Sequence, residues 1–218
     1  MKIASSSSPA VLPRLLAAAA LAAVLCSCAV TTVKKTWKSP DCKQPVEKIA
    51  VLTIEERGLL RQGFENRLVT QLDKAGSPAV ATFDQLSLPE IKEDKRAAAA
   101  RFRGLGADSV LILRTVSASS SYHETQPTGE RYTSTITGFE STGWYDYFSM
   151  GFMDMSSTYG NLKYTVYLEA SLYSLSTEKR LWSALTKTVL KDNTDRVAEM
   201  DPLVGKIVGA MVQDGVIR

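Results

Sequence analysis

Cys26 and Cys28 stand two apart at the end of an apolar run, LAAVLCSCAV, and pose the first chemical question. Thiols at that spacing could bind a metal or form a redox pair. A zinc site, however, takes about four ligands, and the whole chain holds three cysteines and one histidine. That histidine, His123, follows a run of serines and precedes Glu124. Serine abundance makes a Ser-His-acid match uninformative, and the sequence has no Gly-x-Ser-x-Gly elbow to raise a nucleophile on a strand-to-helix turn. RGLGAD (103–108) contains Gly-x-Gly, but after a helical pattern and before a strand, the reverse of a dinucleotide fingerprint. It reads as a helix stop. The carboxylate pairs Glu55-Glu56 and Glu93-Asp94 fall on solvated helix faces and do not point to paired glycosidase acids. The expectation is a protein that is not an enzyme and needs no cofactor and no metal.

The cysteines acquire a different meaning from what precedes them. Lys2 and Arg14 supply a positive start, and Leu15 to Leu25 form an uncharged run of Leu, Ala and Val. That is the length of a secretory apolar region and too short to span a bilayer, which takes about 20 apolar residues. LCSC (25–28) resembles the lipobox of bacterial lipoproteins, with Ser27 before the modified cysteine and Leu25 three before it. Cysteine at its second position is a departure from the usual pattern. The resemblance implies that residues 1–27 are a lipoprotein signal peptide and that Cys28 is the acylated first residue, carrying three chains. Stable anchoring takes more than one chain, at about 0.8 kcal/mol per buried methylene. Ala29 in place of an aspartate implies sorting to the outer membrane, on its periplasmic face. The alternative is ordinary cleavage after Ala29 and a soluble secreted protein.

Removing residues 1–27 from 218 leaves 191, enough for one domain and a tether. Lys2 and Arg14 leave with the signal, so 24 of the 26 basic residues remain against 23 acidic ones. Such a balance gives no basic stripe for nucleic acid. Residues 28–45 lack a period, hold two prolines and read as a lipid-anchored tether, with Trp37 packing on the domain surface. Cys42 has no partner in its own chain, which leaves a tolerated free thiol in the tether or an intermolecular disulfide.

Ordered elements begin after the tether. KIAVLTI (48–54) reads as a buried strand. Leu60, Phe64, Leu68 and Leu72 line one face of the helix that follows, and Gly76 stops it. SPAVATF (77–83) is a second strand. Pro89 opens a second helix, with Ile91, Ala98, Ala99 and Phe102 inward and Gly104 or Gly106 at its end. DSVLILRTVSASSS (108–121) is a third strand. NLKYTVYLEASLYSL (161–175) alternates strictly, as a half-exposed antiparallel strand does, and LWSALTKTVL (181–190) returns as its hairpin partner, with Trp182 packed on the sheet. Asp201-Pro202 starts a last helix whose buried stripe is Leu203, Val204, Ile207, Val208, Met211 and Val212. The fold class is therefore α+β: a single domain over 46–218, β-α-β-α-β, a long insert at 117–161, a β-hairpin and a C-terminal helix around a mixed sheet.

The order of elements, the KIAVLTI opening, the GADSVLIL strand and the LYSLSTEKRLWSA hairpin resemble outer-membrane lipoproteins of unassigned function. Their domain is similar to the TolB amino-terminal domain and to the periplasmic part of the curli secretion lipoprotein. Leu172, Tyr173, Leu181 and Trp182 match a pattern of that group across the turn. These are structural matches and carry no chemistry.

Residues 139–159, FESTGWYDYFSMGFMDMSSTY, hold seven of the 17 aromatic residues, three of the six methionines and only acidic charges. A segment this apolar covers the core, meets a protein or touches a membrane surface. The candidate contact residues are Trp144, Tyr145, Tyr147, Phe148, Phe152 and Met153. The expected function is a lipid-anchored periplasmic protein that binds an envelope protein or associates with itself. The alternative, a small-ligand or lipid-binding transport component, would require a pocket of about 300 Å³ under the insert.

Overall fold

The computed structural model describes residues 30–120, 163–191 and 200–218. They form a mixed α+β domain around one six-stranded sheet. In chain order the elements are β1 (Val30–Lys38), β2 (Ile49–Ile54), α1 (Gly58–Lys74), β3 (Ala79–Ala81), α2 (Leu88–Glu93), α3 (Lys95–Gly104), β4 (Ser109–Ser120), β5 (Lys163–Ser174), β6 (Arg180–Lys191) and α4 (Met200–Gln213). The sheet order is β1-β6-β5-β4-β2-β3. β3, β2 and β4 are parallel, joined through helices, while β4, β5, β6 and β1 pair antiparallel.

The tether expected over residues 28–45 is corrected by β1. Val30 to Lys38 form a full edge strand on β6, from Val30 opposite Val189 to Lys38 opposite Trp182. The irregularity at Val33/Lys35 explains why the sequence shows no period there: an extra residue reverses the sidedness of everything after it. Cys42 lies beyond this strand, inside the main core and 6% exposed, rather than in a tether. Trp37 packs with Tyr167 and Leu185 on the domain.

Helices cover both faces. On one face α1 and α4 pack Leu68, Leu72, Leu203, Val204, Ile207 and Met211 against Ile49, Val51, Leu111, Leu113, Leu172 and Trp182. On the other, α2 and α3 place Ile91, Ala98, Ala99 and Phe102 on Ala50, Leu52, Val110 and Ile112. The indole Nε1–H of Trp182, fully buried, donates to Asp214 Oδ2 at 2.7 Å and so ties β6 to the end of α4. Gly76 and Gly106 take φ +80° and +82° just past α1 and α3, backbone that side chains strain to adopt.

Three details differ from the sequence pattern. The second helix is two helices, because Asp94 closes α2 and then caps α3 by accepting from the Ala97 N–H. α2 itself starts on a reciprocal Ser87/Glu90 capping box. Val212, expected in the buried stripe of α4, is 44% exposed, while its neighbour Met211 is fully buried, so the inward face at this turn passes through Met211.

Candidate functional site

β5 alternates as the sequence requires, but its polar side is not solvent-facing. Tyr167, Glu169, Ser171 and Tyr173 are all buried, Glu169 completely. A buried carboxylate demands a partner, and the neighbouring strands provide two. Arg114 of β4 stands opposite Glu169 in register, and its Nη2 lies 3.0 Å from Glu169 Oε2. Arg180 of β6 brings Nη1 to 3.9 Å from Glu169 Oε1. The Arg180 guanidinium also stacks over Trp37, 5.0 Å from the ring centroid, which binds the edge strand β1 to the same layer. Burial pushes the Tyr173 phenol well above its ordinary pKa; Arg180 and Arg114 oppose that rise and Glu169 adds to it. The phenol therefore stays protonated across the physiological range.

A second buried ion pair closes the parallel half of the sheet. Arg61 and Glu65 sit one turn apart on the inner face of α1, 2.8 Å between Nε and Oε1. Glu65 Oε1 also accepts from the Thr53 N–H at 3.0 Å. Its Oε2 accepts from the N–H groups of Thr82 and Phe83, both at 2.7 Å, and from the Thr82 hydroxyl at 3.3 Å. Arg61 Nη2 in turn donates to that hydroxyl at 3.1 Å. One carboxylate thus clamps the ends of β2 and β3 to α1. Burial pushes its pKa up, while the Arg61 charge and the Thr53 and Thr82 hydrogen bonds pull it down. With both oxygens filled by fixed donors, the carboxylate holds these strands to the helix.

Neither cluster was foreseen from the sequence. The signal for the first was a glutamate between apolar neighbours in β5, which reads as a solvent face until the two arginines on other strands are known. The signal for the second was the four-residue Arg61–Glu65 spacing on the helix side otherwise set by Leu68 and Leu72. Cys28, His123 and the contact candidates Trp144, Tyr145, Tyr147, Phe148, Phe152 and Met153 lie outside the described residues. The RGLGAD segment caps α3 and leads into β4, as its sequence order implied. Among the described residues, no helix is long and apolar enough to cross a membrane.

No family model matches this sequence, and no curated protein matches it. Solved structures do. PelC of Paraburkholderia phytofirmans, a dodecamer, is similar at 11% identity and TM-score 0.46, over 82% of this chain and 95% of that one. The Neisseria meningitidis lipoprotein GNA1162 is similar at 14% identity and TM-score 0.38, over 77% of this chain and 99% of that one. A PDZ domain protein of Parabacteroides distasonis is similar at 11% identity and TM-score 0.41, over 88% of this chain and 38% of that one. The structural neighbours of the chain thus include a lipoprotein, and at these identities the function of this chain is argued from its own residues.

Proposed function

We propose that the chain is a lipid-anchored lipoprotein of the outer membrane, held on the periplasmic face through Cys28, and that it acts by binding an envelope protein partner rather than by catalysis. The observation that carries the reading is the way the fold uses its buried charge. Glu65 and Glu169 meet arginines from the same helix or from neighbouring strands and join secondary elements together. These two carboxylates thereby serve architecture, which supports a binding rather than a catalytic role. LCSC supplies the anchor, and the aromatic and methionine side chains of 139–159 supply the apolar contact surface.

Trp144→Ala and Phe152→Ala separate contact from core. Truncating a contact aromatic at a hot spot weakens association by about 2 kcal/mol or more while leaving the free fold intact. Thermal melting should match the unsubstituted protein, and co-purification from crosslinked membranes should lose a partner. A lowered melting temperature with every partner retained would assign the segment to the core and end this reading.

A further inference from the structure

The short distance between the lipobox cysteine and the first strand has a geometric consequence. β1 begins at Val30 and is paired to β6 from its first residue. Only Ala29 separates it from Cys28, and two extended steps along the chain reach about 7 Å. The end of the sheet where β1 starts is therefore leashed to whatever Cys28 is bonded to. The register fixes which residues share that end. Val30 lies opposite Val189, Lys163 opposite Lys191, and Ser120 opposite Tyr164. The β5–β6 turn, with Lys179, lies at the other end. The 12 residues of β4 make the sheet about 40 Å long at roughly 3.4 Å per residue.

We propose that this domain stands on the bilayer by the Val30–Ser120–Lys163–Lys191 end of its sheet, with the β5–β6 turn directed away from the lipid. The inference rests on the reading of Cys28 as the acylated residue and deepens it, from an anchored domain to an oriented one. The occupant of this end is the lipid headgroup surface that holds the acyl chains. The leash, rather than charge, selects it. Lys163 and Lys191 stand at this end and Lys187 four residues further in, but the sequence between β4 and β5 also contains Glu124, Glu130, Glu140, Asp146 and Asp154. A long disordered tether would let the domain tumble. A strand that starts two residues from the anchor limits the tilt and keeps one end near the headgroups.

The test places a fluorophore at either end. Thr32 on β1 and Lys179 in the turn are both exposed. Register puts Thr32 opposite Lys187, so the two sites lie about 25 Å apart along β6. Thr32→Cys and Lys179→Cys are each made on a Cys42→Ala background. The proteins are purified in acylated form from membranes and labelled. They are then inserted into phosphatidylethanolamine/phosphatidylglycerol vesicles whose headgroups bear a nitroxide quencher. The label at position 32 should be quenched several-fold more than the label at 179. Insertion of a 12-residue Gly-Ser linker between Ala29 and Val30, adding about 20 Å of mean reach, should shrink the difference. Equal quenching at both sites, or stronger quenching at 179, on protein whose Cys28 is acylated by mass spectrometry, overturns the orientation and leaves the anchor standing. A label at 32 that is immobilised yet unquenched overturns it in favour of a protein covering that end. Absence of acyl chains on Cys28 overturns the underlying reading instead.

Discussion

Trp182→Ala is the sharpest probe of the fold. The side chain is completely buried between β6 and the helices of the larger core. A buried tryptophan removes about 200 Å² from water, which at about 25 cal/mol per Å² is roughly 5 kcal/mol. Alanine retains part of that, and measured tryptophan and phenylalanine truncations cost about 3–5 kcal/mol. The lost hydrogen bond to Asp214 adds to this, at the low end of the charged range of about 1.5–3 kcal/mol, because Asp214 is partly exposed and regains water. A domain of this kind has about 5–15 kcal/mol in total, so Trp182→Ala should bring it close to unfolding. Trp182→Phe keeps most of the apolar contact and should lose only about 1–2 kcal/mol. Urea unfolding of the signal-free Cys28→Ala protein, followed by circular dichroism, reads both. The midpoint should fall in the order wild type, Phe, Ala, with an unchanged slope. An alanine variant within about 1 kcal/mol of wild type would refute the burial argument. A phenylalanine variant as damaged as alanine would show that the hydrogen bond, not packing, carries the position.

Other expectations follow the same logic. Glu169→Ala removes the carboxylate that Arg114 and Arg180 approach inside the sheet and should cost about 3–5 kcal/mol in the same urea assay, as breaking a buried ion pair does; a neutral result would mean that water reaches the layer. Glu65→Ala unclamps Thr53, Thr82 and Phe83 and should bring faster amide hydrogen exchange at the ends of β2 and β3, whereas unchanged exchange there would contradict the clamp. The Cys42 thiol has its pKa raised by burial, against the pull of Lys38, and should resist Ellman's reagent until the protein unfolds. Since the native state holds that proton more tightly than the unfolded chain, its contribution to stability is full below the ordinary thiol pKa and is lost as pH rises through the raised native value. Cys42→Ala should remove that part of the alkaline decline, and a prompt reaction of the native thiol would place Cys42 at the surface.

Much of the architecture was legible because periodicity reports burial. The four-residue spacing from Leu60 to Leu72 marked α1, the alternation of 161–175 marked β5, and STEKR marked the turn before β6. What periodicity could not report was company. Glu169 occupies a position that looks solvent-facing in one strand alone, and its burial depends on Arg114 and Arg180, 55 residues before it and 11 after. β1 escaped notice for two reasons. Its irregularity at Val33/Lys35 breaks the alternation, and its lysines, suited to an edge strand that must not pair further, resemble those of a linker. The boundary between α2 and α3 was hidden because Asp94, an ordinary helix residue by charge pattern, is used as a cap. The candidate contact residues of 139–159 stand out by composition alone, and composition names a surface without placing it.

The anchor is tested most directly by mass spectrometry of the amino-terminal peptide from protein extracted from membranes. The expected chain begins at Cys28, carrying acyl chains, with Ala29 and the first residues of β1 directly behind it. A native, unacylated terminus at Val30 would contradict it, and would turn a membrane-held domain into a secreted one.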